Sequence, residues 1–313
     1  MIIEPAPAFC DERTDLFPFF RQAIERAKQT KDEIFASVTI ETTYSDPLAV
    51  VEKIHLPNDP LCYFEKPSSD FAIACGEFIA ESTFDGSERF HKAKNWADII
   101  FGKTLVAGDH QRAGTGPTLF MAATFEDQTE YSESPPALQV FLPRWQVVRQ
   151  GGSHFVVINA KIDQNSRADV LTENLTDSIK RIKEVPSDLF HSAPHKSVEL
   201  GSPTEEFDYE KAVSVALSRI KGGELSKIVL ARKLTYPVSN ELPTFSIAHA
   251  LRERFPDCFT FCLATPGNGM MVGATPETLA KVSGNSLETE ALAGSAPRGP
   301  SAGKDAHWGK TLL

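Results

Sequence analysis

No stretch of this sequence stays apolar for the roughly 20 residues that a bilayer-spanning helix takes. The N-terminus, MIIEPAPAFCDERTDLF, lacks the basic-then-apolar order of a secretory signal. A chain without either is expected in the cytoplasm, with no membrane partner. Positive charge is also in short supply: 32 Lys and Arg stand against 42 Asp and Glu, a formal net charge of -10. Nucleic-acid binders show a basic face or tail, so that class is set aside. A small anionic substrate is not, because a local cationic pocket can sit on an acidic protein. Cysteine is scarce and scattered, at Cys10, Cys62, Cys75, Cys258 and Cys262. Strand alternation puts Cys258 and Cys262 of CFTFC on one face, but no His or Cys pair follows at zinc-finger spacing. They read as buried structural thiols, which fits a reducing compartment.

What is present is ordinary for a globular protein: 41% hydrophobic and 24% charged residues over 313 positions. That length holds one large domain or two smaller ones. Phe20, Ile24 and Ala27 recur at helical spacing, and from Ile34 the pattern turns strand-like. Pro47 and residues 57–60 (PNDP) read as turn punctuation. CYF, then a Lys66-Pro67-Ser68-Ser69 turn, then FAIACG read as strand, turn, strand. SERFHKAKNWADIIFGK reads as a helix with Phe90, Ala93, Ala97 and Ile100 inward. Further strands follow, with a hairpin turn at Gly151-Gly152. Successive strands joined by short polar turns predict an antiparallel meander flanked by helices, an α+β fold.

Residues 163–206 are polar and proline-bearing, with a helix inside VLTENLTDSIKRIKEV. A boundary there divides a single enzyme domain, 1–313, into an N-terminal subdomain, 1–205, and the beginning of a second, 206–313. Residues 204–206 are expected to cap a helix over DYEKAVSVALSRIKGG, with Val213, Ala216, Leu217 and Ile220 as its apolar face. A strand over KIVLARKLTYP, a helix over FSIAHALRERF and strands over CFTFCLAT and GMMVGA come next. A last hairpin turns at Ser283-Gly284-Asn285-Ser286.

Two charged residues in this second part bear two readings each. Lys227, near the start of an apolar strand, is either a snorkelling or edge-guarding charge or a partly buried base able to take a proton from water. Glu277, in Thr275-Pro276-Glu277-Thr278, is either a turn carboxylate or a buried acid able to protonate a leaving hydroxyl. Ala293-Gly294-Ser295-Ala296-Pro297-Arg298-Gly299 is either a plain turn or a small-residue loop whose backbone N–H groups can approach a carboxylate. It is neither a Walker loop nor a dinucleotide fingerprint. His110, His154, His191, His195 and His307 sit in no metalloprotease or triad context and read as surface or loop residues.

Taken together, SKIVLAR, FTFCLAT, GATPETL and TEALAGSAPRG, in that order and spacing, resemble the chorismate-utilising enzymes and, within them, the isochorismate synthases. Upstream, CYFEKP with IACGE and the LQVFLPRW strand are similar as well. The resemblance implies a chorismate-binding fold like that of anthranilate synthase component I. It implies chorismate as substrate and Mg2+ as cofactor. Lys227 falls on the family's base, which activates water for attack at C2. Glu277 falls on its acid, which protonates the departing C4 hydroxyl. Gly294 and Ser295 fall on the loop that holds a substrate carboxylate. Anthranilate synthases carry Gln where Lys227 stands, and aminodeoxychorismate synthases read P-I-A-G-T-R in the later loop. Salicylate synthases share both charged residues, and a salicylate or aminodeoxychorismate synthase-like enzyme remains an alternative. The family's helix with its S-x-K-D-x-x-E-H pattern, whose glutamate binds Mg2+, and the later metal-binding glutamate are expected beyond Leu313. No metal ligand is therefore assigned among these residues. The chain as it stands is expected to be an inactive, poorly stable piece of an isochorismate synthase serving menaquinone or siderophore biosynthesis. The competing reading is a short, non-catalytic homologue that acts as a binding protein.

Overall fold

The computed structural model describes residues 12–43, 45–56, 59–128, 135–186, 190, 198–265, 269–290, 299 and 301–310. Among them no helix is long and apolar enough to cross a membrane. The fold is built on one nine-stranded, mainly antiparallel sheet. Its strands are β1 (Ile34–Thr42), β2 (Leu61–Lys66), β3 (Phe71–Phe84), β4 (Thr104–Ala107), β5 (Phe120–Ala123), β6 (Leu138–Gln150), β7 (Ser153–Ile162), β10 (Phe259–Ala264) and β11 (Met270–Thr275). The order across the sheet is β11-β10-β2-β3-β6-β7-β1-β4, with β5 added on β6. The α+β reading holds. Antiparallel pairing is broken where β4 returns parallel to β1, and the expected meander holds only in the neighbours β2–β3, β5–β6, β6–β7 and β10–β11, since β3–β6, β7–β1, β1–β4 and β10–β2 join strands that are not consecutive. The sheet also takes strands from both sides of position 205, since β10 pairs with β2.

Alternation along β1 explains how the sheet is covered. Ile34, Ala36, Val38 and Ile40 enter one core, and Phe35 enters another on the opposite face. The first face is covered by α1 (Glu12–Thr30), α2 (Pro47–Ile54), α4 (Ala168–Lys183) and α6 (Thr244–Arg254). They deliver Leu16, Phe20, Leu48, Val51, Leu175, Ile179 and Ala248 to the core. The second face carries α3 (Arg89–Gly102) and the segment 108–119. Gln146, fully buried, fixes that segment by donating to the carbonyls of Gly114 (2.7 Å) and Gly116 (3.0 Å). Gly76 lies so close to the Trp145 indole that an added Cβ would come within 2.5 Å of it, so only glycine fits there.

Several expectations are corrected. Pro47 opens α2: Asp46 caps it, accepting from Leu48 N–H at 3.1 Å, and proline stands at the first turn. In α3 the inward residues are Arg89, Ala93 and Ile100, while Phe90 is exposed. Residues Thr204–Glu205 form β8, and the cap of α5 (Tyr209–Lys221) is Asp208, which accepts from Lys211 N–H at 2.9 Å. Of the four apolar residues expected inward on α5, only Ala216 is buried. His154 is buried in β7, its Nδ1 3.0 Å from the Ser45 carbonyl oxygen. The Gly151-Gly152 hairpin is as expected, both glycines having positive φ (56° and 78°). The last hairpin, β12 (Lys281–Ser283) and β13 (Ser286–Glu288), is shorter than expected and turns at Gly284 (φ 57°).

Candidate active site

The chain leaves α5 at Gly222-Gly223, where backbone N–H groups return to the carbonyls of Ser218 and Ile220. The next residues, expected as a strand from Lys227, form ladder pairs only at β9 (Leu234–Thr235), against β8. A strand needs a neighbour for its N–H and C=O groups, and the sequence KIVLAR has none among the described residues. Ile228 and Val229 are consequently exposed, at 42% and 82%. Lys227 is exposed too. Arg232, farther on, is held by Glu205 at 3.0 Å and lies over the Tyr209 ring. The groove at this place is lined by Glu205, Phe207, Asp208, Tyr209, Glu210 and Arg232. It includes neither Lys227 nor Glu277.

Glu277 hangs from the edge of the main sheet. It follows β11 by two residues, in a turn closed by its own N–H donating to Thr275 Oγ1 at 3.2 Å. Gly273 packs under the Phe261 ring, where an added Cβ would meet the ring at 2.7 Å, so β11 lies close on β10. The Glu277 side chain is exposed. Among the described residues no hydrogen bond or ion pair joins it to Lys227. The burial that an acid–base pair needs is thus not provided by these residues for either side chain. Gly294 and Ser295 lie outside the described residues. Among the described residues no three of His, Cys, Asp and Glu converge where a metal ion could be held. None of them is therefore assigned to Mg2+.

Sequence reasoning missed a concentrated charge network around Arg252. Arg252 of α6 is buried and donates to both oxygens of Asp46 (2.9 and 2.7 Å) and to Glu65 Oε2 (3.0 Å). Its Nε–H donates to His249 Nδ1 at 3.1 Å. Glu65 also accepts from Arg149 at 2.6 Å and from the Tyr63 hydroxyl, and Arg149 reaches Asp70 at 3.1 Å. Burial pushes the Asp46 carboxyl up, but the Arg252 hydrogen bonds and charge overcome it and hold the group below its ordinary value. Burial, followed by the Glu65 charge, pushes the Tyr63 hydroxyl well up, so it stays a neutral donor. One signal was readable: Glu65 shares the strand parity of Leu61 and Tyr63, which puts a carboxylate on the inner face.

The thiols behave as structural groups. Burial raises Cys262 to about 12 and Cys75 well above its ordinary range, and Cys62, beside Cys75 across β2–β3, is half-buried. Cys258 lies outside β10 and is half-buried rather than buried. A thiol-disulfide reagent at pH 8 is expected to leave Cys75 and Cys262 unmodified in the folded protein and to label them after denaturation. Peptide mapping that finds either labelled first in the folded protein would contradict this placement.

A family model described as chorismate binding enzyme matches residues 22–313. The salicylate biosynthesis isochorismate synthase of Pseudomonas aeruginosa is 27% identical over 300 residues, 94% of this chain and 60% of that protein. The isochorismate synthase MenF of Bacillus subtilis is 24% identical over 310 residues, 93% of this chain and 63% of that protein. This chain therefore spans about three fifths of the length of these relatives. In fold it is similar to MenF, the menaquinone-specific isochorismate synthase from Escherichia coli. That match has a TM-score of 0.63 at 18% identity and covers 94% of this chain and 64% of that one.

Proposed function

The chain belongs to the chorismate-binding enzyme family, and on that premise we propose that the protein is an isochorismate synthase. It interconverts chorismate and isochorismate, with Lys227 and Glu277 as base and acid. The observation that carries this reading is the pair of motifs themselves. SKIVLAR puts a lysine, and GATPETL a glutamate, at the positions where the family keeps its base and acid. The relatives that match over nearly the whole chain and are named for this reaction support it.

The chemistry asks for two proton transfers. Lys227, as a free amine, takes a proton from water while the water oxygen bonds to C2. The ring double bonds shift, the C4–O bond breaks, and Glu277 gives its proton to the departing hydroxyl, which leaves as water. Both side chains must be shielded from bulk water for these protonation states to coexist near neutrality. Their exposure here means that the shielding comes from surfaces other than those the described residues supply. Gly294 and Ser295 are proposed to hold a substrate carboxylate through backbone N–H groups. Mg2+ is proposed as cofactor, to neutralise the carboxylates. Residues 1–205 and 206–313 are proposed as the N-terminal subdomain and the start of the catalytic one. The product is proposed to feed menaquinone or siderophore synthesis in the cytoplasm.

The test is a product assay on the intact protein with chorismate and Mg2+, separating isochorismate, salicylate, aminodeoxychorismate and anthranilate. Isochorismate as the first and main product is expected. Salicylate with pyruvate, an aminated product, or unchanged chorismate would overturn the assignment.

A further inference from the structure

The charge network described above is not explained by stability alone. Two ions taken out of water lose hydration that their attraction barely restores, and an apolar side chain of similar size is often as stabilising. What charged pairs add is direction. Arg252 grips Asp46 through two parallel hydrogen bonds and Glu65 through a third, so α6 is fixed in rotation and in height against the N-cap of α2 and the end of β2. The helix ends in a further tie, where the Pro256 carbonyl accepts from Ser68 N–H at 3.0 Å.

The register shows where that fixation leads. Glu65 on β2 stands opposite Thr260 on β10, and Thr260 stands opposite Ala274 on β11. Glu65, Thr260 and Ala274 therefore occupy one row across the sheet, and Arg252 bonds to the first of them from α6. Ala274 is three residues before Glu277, with Thr275 closing the turn between them. In sequence, α6 also lies between the two motifs, after the segment of Lys227 and before the strands that carry Glu277.

We infer that Arg252, with Asp46 and Glu65 as its anchors, is a positioning residue that sets the place of the Glu277 turn for catalysis. This rests on the function proposed above for Glu277. The clamp does not touch substrate. It holds α6, and α6 with β2 holds the β10–β11 pair from which the acid hangs.

The test uses the intact protein and the variant Arg252→Met, which keeps an apolar stem and removes the guanidinium. Arg252→Lys keeps the charge without the paired bonds. Arg89→Met is the control, a buried arginine on the other sheet face that binds the carbonyls of Thr124 and Phe125. Arg252→Met leaves Asp46 without its partner, so it is expected to melt below the parent while staying folded at the assay temperature, and to lose about 10- to 100-fold in kcat, since small misplacements of a catalytic group have large effects. KM should change less than about twofold, since the clamp is remote from the substrate cradle. Arg252→Lys should fall between the two, and Arg89→Met should change melting without changing kcat. Amide hydrogen exchange at residues 270–279 should speed up in Arg252→Met and stay unchanged in β1 and β7. A folded Arg252→Met with parental kcat and parental exchange at 270–279 would overturn the inference. So would a loss of kcat matched in Arg89→Met. If the parent makes no isochorismate, the proposed function falls and with it the catalytic part of the inference. The exchange comparison then still decides whether Arg252 holds the 270–279 turn.

Discussion

Lys227→Ala and Glu277→Gln are each expected to lower isochorismate formation by about 10²- to 10⁴-fold, the range that one positioned acid or base contributes. Neither variant should change the fold. Both side chains are exposed in this chain, and among the described residues neither makes an ion pair. Surface substitutions away from caps and buried networks move stability by at most about 0.5 kcal/mol. The far-ultraviolet spectrum and the melting midpoint should therefore match the parent while turnover collapses. The double variant should be scarcely worse than either single one, because residues acting in one proton circuit do not add. The measurement is initial rate against chorismate at saturating Mg2+, for parent, both singles and the double. Near-parental turnover in either single variant would remove that residue from the mechanism. Singles whose losses multiply in the double would mean that the two act in separate steps.

How much of this was legible in the sequence differs by level. Hairpins with strong local signals were readable. Alternation along LCYFEK and FAIACG, and two glycines between VVRQ and SHFVV, leave few alternatives, and β2–β3 and β6–β7 pair as those signals imply. Elements that depend on distant partners were not. KIVLAR has the composition of a buried strand, but composition cannot supply a neighbouring ladder, and here only Leu234–Thr235 is paired. Proline punctuates turns, and by that signal Pro47 reads as one. With Asp46 before it, the same proline also opens a helix, and burial of residues 47–51 favours the helix. Hydrophobicity points Phe90 inward, whereas the inward position goes to Arg89, whose guanidinium donates to the carbonyls of Thr124 and Phe125. The catalytic candidates show the same limit. Motif order locates Lys227 and Glu277 along the chain, but whether they are shielded depends on surfaces brought from elsewhere in the fold.

Asp46→Ala should be among the most destabilising substitutions in the N-terminal part of the fold, because this carboxylate serves two ends at once. It caps α2 through the Leu48 N–H, a bond whose loss costs about 1 kcal/mol. It also holds Arg252 by both oxygens, and removing one partner of a buried pair leaves an uncompensated charge at about 3–5 kcal/mol. Glu65 cannot take over alone, since it already accepts from Arg149 and Tyr63. The sign of the pH dependence follows from the same contacts. Burial raises the carboxyl's affinity for a proton, but the guanidinium outweighs it and holds Asp46 below the ordinary value of 3.8. Its stabilising contribution is therefore full above about pH 4 and is lost as pH falls through the lower, folded value. Asp46→Asn removes that titration while keeping the shape. Urea midpoints between pH 3 and 7 should show a large, nearly constant deficit for Asp46→Asn above pH 5 that narrows toward pH 3. A deficit that stays constant down to pH 3 would mean that Asp46 does not titrate in this range, and that Arg252 draws its compensation from Glu65 instead.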